Sequence, residues 1–162
     1  MGRIAVVVLA VSLITMWIYA FFGDHGVPGR LDNPVFPAQA EPVCAAAQAR
    51  IDALPRASQT TTAGARADVV DQASDELDAM LAELRGLVPV GAAETEAETQ
   101  WIEDWQTYVQ DRRDYTAQLR VDPMTRFAVT QSDRDRRQIT SALDRFAEIN
   151  GMPSCVIPDD LS

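Results

Sequence analysis

Lysine is absent, and all 14 basic residues of the 162-residue chain are arginine. Serine–lysine hydrolase chemistry is therefore excluded. Histidine occurs once, as His25. A Ser-His-Asp arrangement needs a histidine beside its serine. A carboxylate-bridged metal centre in a helical bundle needs Glu-x-x-His on two helices. A single histidine next to an apolar run serves neither, so no catalytic residue, metal ligand or cofactor is expected. Asp133-Arg134-Asp135 lacks the third oxygen ligand and the central glycine of a calcium loop. Carboxylates number 24, so a pair suited to two-carboxylate hydrolysis would not stand out from the background.

Net positive charge is missing as well. The formal charge is -10, whereas phosphate backbones are bound by arginines and lysines clustered on one face. Here arginines alternate with carboxylates, as in Asp111-Arg112-Arg113-Asp114 and Asp133-Arg134-Asp135-Arg136-Arg137. Such runs read as solvated faces or local ion pairs. No nucleic-acid partner is expected, and an anionic lipid surface should repel the acidic part of the chain.

What the chain does have begins with residues 4–22, IAVVVLAVSLITMWIYAFF, which carry no charge. At about 1.5 Å per residue they match a hydrocarbon core of about 30 Å. Trp17 and Tyr19 lie near one end, where amphipathic rings favour the interface. Arg3 precedes the run, and Asp24 and His25 follow it. The positive-inside bias puts residues 1–3 in the cytoplasm, makes 4–22 a transmembrane signal anchor and sends the rest outside the cytoplasm. A cleaved signal peptide is the rival. It needs a shorter apolar region followed closely by a small-x-small site, and Ala38-Gln39-Ala40 lies far beyond Phe22. Residues 23–41, with three glycines and three prolines, read as an extended stalk. Val35 and Phe36 are its candidates for docking on the domain.

Only two cysteines are present, Cys44 and Cys155. In an oxidising compartment an isolated pair is most simply a structural disulfide. The alternatives are weaker, because a redox pair is usually Cys-x-x-Cys and a zinc site needs more ligands. The bond would bracket a domain at 42–155 and leave 156–162 as a C-terminal tail.

Within 42–155 the apolar pattern is helical. The first helix should run from about Pro42 to Leu54, where Pro55 stops it. In the second, Ala63, Ala67, Val70, Ser74, Leu77, Leu81, Leu84 and Val88 form one stripe with a single polar interruption, and Pro89 and Gly91 end it. The third starts near Ala93, and its stripe is Trp101, Trp105, Tyr108, Arg112, Tyr115 and Leu119. Near-heptad spacing on both predicts antiparallel packing. From 125 to 140, Thr125–Thr130 alternates with period two and could pair with Arg136–Thr140 as a short β-hairpin, with a helix from Thr140 or Ser141. The rival is one helix from Ser132 with a capping box to Asp135. Ile139, Leu143, Phe146 and Ile149 face inward in both readings, and Gly151 and Pro153 end the segment.

The stripe Trp101, Trp105, Tyr108, Arg112 and Tyr115 uses residue types that dominate binding hot spots. One reading makes it bundle core, with Arg112 paired to Asp78 or Asp144. The other lines a small-ligand pocket between the second and third helices.

W-x-x-D-W-x-x-Y-V-x-D-R-R-D-Y, from Trp101 to Tyr115, and I-T-S-A-L-D-R-F-A-E-I-N-G-M-P-S-C, from Ile139 to Cys155, resemble an uncharacterised family of single-pass actinobacterial membrane proteins with a helical extracytoplasmic domain. The Glu-Pro-x-Cys-Ala start at Glu41 and the anchor extend the resemblance over most of the chain. It implies no activity. Missing lysine and abundant alanine suit the GC-rich genomes it points to. The expected fold is mainly α, with an N-terminal transmembrane helix, a small antiparallel bundle and one short β-hairpin near 125–140. The expected role is a non-enzymatic accessory or interaction module of the cell envelope, whose partners are the membrane, through 4–22, and an envelope or membrane protein.

Overall fold

A computed structural model describes residues 2–22, 27, 29–87, 92–132 and 136–161, with side chains from Val8 to Tyr19 in the first helix and from Glu96 onward in the fourth. Five helices and no strand form among the described residues, so the protein is mainly α. The order is α1 (Gly2–Phe22), α2 (Val35–Asp52), a 3₁₀ turn (Ala57–Gln59), α3 (Ala63–Arg85), α4 (Ala92–Leu119) and α5 (Ile139–Ile149).

Among the described residues α1 packs against no other element. Its side chains from Val8 to Tyr19 are all exposed. They cover about 18 Å of helix, and among the described residues no helix is long and apolar enough to cross a membrane.

Helix α2 begins seven positions before the expected Pro42, inside the supposed stalk. Phe36, Ala40, Cys44, Ala47 and Ile51 recur at helical spacing and are buried. Their burial sets the start of the helix. Pro37 falls in the first turn, where its missing N–H costs nothing. Pro42 lies inside the helix on an exposed stretch with Ala38, so the carbonyl it leaves unbonded meets water. The Asn33 side-chain carbonyl accepts the Val35 N–H at 2.9 Å. Upstream, Asn150 clamps the chain by donating to the Gly29 carbonyl at 2.9 Å and accepting from the Leu31 N–H at 2.8 Å.

Helix α3 matches its expected stripe. Ala67, Val70, Ser74, Leu77, Leu81 and Leu84 are buried, and the Thr62 hydroxyl caps the start by accepting the Ala65 N–H at 3.1 Å. Val88, Pro89 and Gly91 lie outside the described residues, as do His25 and Asp133–Asp135. Helices α3 and α4 share the largest interface. They are antiparallel, since Arg120 of α4 reaches Asp68 while Arg113 reaches Asp75 and Asp78.

The β-hairpin is not seen. Only an isolated antiparallel bridge joins Gln131 to Gln138, and α5 starts at Ile139. Around that bridge the Ser132 N–H donates to the Arg137 carbonyl and the Ile139 N–H to the Thr130 carbonyl, but no strand forms among the described residues, and the segment from 127 to 130 is held on α4 by side chains. Asp111 accepts both the N–H and the hydroxyl of Thr130 at 2.7 Å. Phe127 sits edge-on between Tyr108 and Tyr115, with ring centroids 6.2 and 5.5 Å away. Residues 136–138 are not helical, so among the described residues no helix leads from Ser132 into α5.

The Cys44–Cys155 disulfide is present, joining α2 to the segment after α5 with Cα atoms 5.0 Å apart. Both cysteines are buried. The expected C-terminal tail is part of the domain. The Val156 carbonyl accepts from Gln48, the Ile157 N–H donates to Asp144, and Pro158 is buried. The packed domain therefore extends beyond 42–155 at both ends, from Leu31 to Leu161.

Candidate functional site

The aromatic-arginine stripe of α4 faces inward along its length. Trp101, Trp105, Tyr108, Arg112 and Tyr115 are all buried. The rings meet edge to face in a chain running Phe36, Trp101, Trp105, Tyr108 and Phe127. Trp101 also stacks on Phe146 of α5 at 5.2 Å between centroids. Such contacts add to the hydrophobic gain from burying the rings. The stripe is packed into the core, and Trp101, Trp105 and Arg112, the residues envisaged around a ligand pocket, are at 2%, 1% and 0% exposure.

Arg112 has 0% exposure. Its carboxylate partner is Asp160, not Asp78 or Asp144. The guanidinium meets Asp160 through both terminal nitrogens, Nη1 to Oδ1 at 2.9 Å and Nη2 to Oδ2 at 2.5 Å. Nε donates to Ser74 Oγ at 2.9 Å, Nη1 to Tyr108 Oη at 3.3 Å and Nη2 to the Val70 carbonyl at 3.4 Å. A guanidinium has five N–H donors, so every one has an acceptor inside the protein and none is left for a ligand. Burial works against the charge on Arg112, but the Asp160 carboxylate outweighs it and raises the pKa. Burial also raises the Tyr108 pKa, against the opposing pull of Arg112. Tyr108 therefore stays a neutral phenol.

The signal for this cluster was in the two stripes. Ser74 is the one polar interruption on α3 and Arg112 the one charge on the α4 stripe, and antiparallel packing sets them against each other. Asp160 carried no such signal, because it belongs to no periodic segment. Asp78, one expected partner, pairs with Arg113 at 3.0 Å. Asp144, the other, accepts the Ile157 N–H at 2.8 Å.

On the surface an ionic ladder joins α3 to α4. Arg113 reaches Asp71, Asp75 and Asp78, and Arg120 reaches Asp68 and Asp71. Asp71 is the hub. Burial opposes its ionisation, but the Thr116 hydroxyl, the Arg120 guanidinium and the charge of Arg113 outweigh burial and hold its pKa below the usual carboxylate value. A group with a depressed folded pKa stabilises the fold above its unfolded pKa, about 3.9 for aspartate, and loses that contribution as pH falls through the folded value. Wild-type protein should lose stability on acidification below about pH 4, and Asp71→Asn should flatten that slope. Melting temperatures of the two from about pH 6 to about pH 2.5, across the carboxylate range, decide it, and parallel curves would refute this role of Asp71.

One ligand-sized hollow opens across α4 and α5. Its volume is about 400 Å³, at the small end of pockets that hold organic ligands. Its lining includes Trp101, Asp104, Arg137, Arg145, Phe146 and Ile149, of which Asp104 is itself buried. The Trp101 indole N–H donates to the Leu143 carbonyl at 3.3 Å, so that ring offers the cavity only carbon. Among the described residues no three His, Cys, Asp or Glu side chains converge as metal ligands would.

Comparison with family models, curated proteins and solved structures returns no match.

Proposed function

We propose that this chain is a single-pass membrane protein whose helical domain works outside the cytoplasm as a non-enzymatic accessory or interaction module. The observation that carries this reading is the state of α1. Its side chains from Val8 to Tyr19 are exposed and no other element of the described residues packs against this helix, although each large apolar side chain left in water forgoes about 1.5–3 kcal/mol. The uncharged sequence extends on both sides of that stretch, over residues 4–22, which is long enough for a bilayer. Lipid is the cover that suits such a helix.

The buried Cys44–Cys155 disulfide supports the reading, since it suits an oxidising compartment. The non-enzymatic part rests on Arg112, Tyr108 and Ser74 being saturated by one another and by Asp160.

Alkaline carbonate extraction of native membranes should leave the chain in the pellet and release a variant lacking residues 4–22. Alkylation of intact cells should leave Cys44 and Cys155 unmodified until reductant is added. Release of the full chain by carbonate, or free thiols before reduction, would overturn the proposal. Crosslinking in those membranes then identifies the protein partner.

A further inference from the structure

Asn150 holds the chain where it enters the domain. It caps the C-terminal end of α5. Its amide NH₂ donates to the Gly29 and Phe146 carbonyls, both at 2.9 Å, and its amide oxygen accepts the Leu31 N–H at 2.8 Å. Two of these three bonds grip the entering chain and the third fixes the side chain to its own helix. Gly29 has a φ of +85°, so its carbonyl is presented to Asn150 by backbone that only glycine adopts without strain.

Asn150 is followed by Gly151, and that pair has a reaction of its own. The backbone nitrogen after an asparagine can attack the side-chain carbonyl carbon. The new N–C bond closes a succinimide, the C–NH₂ bond breaks, and ammonia leaves with the proton of the attacking nitrogen. Water then opens the ring to aspartate or isoaspartate, so an amide becomes a carboxylate. Glycine hinders the attack least, having no side chain. Folding opposes it here. The Gly151 N–H donates to the Glu148 carbonyl at 3.2 Å, and the Asn150 amide is fixed by its three bonds. The reaction therefore needs the clamp open. Its product would also keep the clamp open. A carboxylate has no N–H, so nothing would bridge to the Gly29 and Phe146 carbonyls. Its charge would stand at the C-terminal end of α5, where the helix dipole disfavours it.

We propose that Asn150–Gly151 is a deamidation site that acts as a one-way release for the entering chain. The amide survives while the clamp is closed and is lost once the clamp opens. The consequence for the tether rests on the membrane-anchored reading of α1. Phe22 ends α1, and residues 23–29 reach at most about 25 Å at full stretch. Leu31 is only partly buried. With Gly29 and Leu31 released, the next fully buried attachment is Phe36, and residues 23–35 reach at most about 47 Å. Deamidation therefore about doubles the distance that the domain can stand from the bilayer.

The full chain is incubated folded and in guanidinium chloride, and mass spectrometry of the peptide holding Asn150 separates amide from acid. Deamidation of the folded chain should be at least roughly tenfold slower, the equivalent of one net hydrogen bond closing the clamp. Gly29→Ala strains the clamp from its other side and leaves Asn150–Gly151 untouched, so it should raise the folded rate severalfold. Asn150→Asp, the product itself, should speed amide exchange at Leu31 roughly tenfold. Equal rates folded and unfolded, or a folded rate indifferent to Gly29→Ala, would overturn the gating. Unchanged exchange at Leu31 would overturn the release. The Gly29→Ala comparison keeps Asn150, so it remains readable if Asn150→Asp fails to fold. For the tether, the chain is placed in phosphatidylcholine vesicles with acceptor-labelled headgroups. A donor dye sits on Ser141→Cys, at an exposed position, while Cys44 and Cys155 stay paired. Energy transfer should fall severalfold in Asn150→Asp. Unchanged transfer beside faster Leu31 exchange would overturn the change in stand-off and leave the clamp standing. A chain that does not float with the vesicles would overturn the anchor and not the clamp.

Discussion

Asp160→Asn should destabilise the domain by about 3–5 kcal/mol, the cost of leaving a buried charge without its partner. The mutant keeps the shape of the side chain and removes only its charge. Arg112, at 0% exposure, cannot recover water in exchange. Arg112→Met should also cost several kcal/mol, since it strands the Asp160 carboxylate, whose side chain is only 10% exposed, and leaves Ser74 and Tyr108 without their contacts to the guanidinium. The double variant Arg112→Met, Asp160→Asn should be far less damaged than the sum, because replacing both members of a buried pair removes the desolvation cost along with the attraction. Thermal unfolding of the full chain in detergent, followed by near-ultraviolet circular dichroism of the tryptophan-rich core, measures all four corners of the cycle. Additive losses would mean that the two side chains do not act as a pair. An Asp160→Asn protein as stable as its parent would mean the C-terminal segment does not dock as described.

Removing the disulfide is the other large effect. Cys44 and Cys155 are 111 residues apart. In the chain-entropy treatment, a crosslink closing a loop of this length limits the unfolded chain by about 4–5 kcal/mol. The double variant Cys44→Ser, Cys155→Ser should therefore melt on the order of 10–15 °C lower. The fold should survive under mild conditions, because α3 and α4 lie wholly inside the loop and share their own interface. The loss should be greatest where the bond holds otherwise lightly fastened chain. That is the start of α2 and the segment after α5, where Glu41 accepts the Ser154 N–H at 3.1 Å. Amide exchange should rise there first and reach Arg112 through Asp160. A double-serine variant that melts with the parent would show that the bond adds nothing to what packing provides.

Much of the architecture could be read from spacing alone. The stripes on α3 and α4 announced their helices and their buried faces, because a 3.6-residue period is a local property that only packing makes useful. The same local reading misled at α2. Prolines and glycines between 23 and 41 suggested extended chain, yet Phe36 and Ala40 belong to the stripe that continues through Cys44. Proline is tolerated at a first turn and on a wet face, and whether a face is wet is a tertiary fact. The alternation at 125–130 misled in a similar way. Phe127 and Val129 do point one way, but toward α4 and not toward a partner strand. Period two shows which side chains share a side and says nothing about what supplies the backbone hydrogen bonds.

By itself the sequence determined the mainly helical class, the two long helices with their inward faces, and the pairing of two lone cysteines, because each depends on periodicity or on there being a single choice. Only the tertiary structure decided that Asp160 neutralises Arg112, that Asn150 pins the entry at Gly29, and that a hollow opens between Trp101 and Arg145. Those contacts join residues dozens of positions apart, and many carboxylates and amides could have served. Which of them does is settled by where the backbone brings it, a global property that no local pattern encodes.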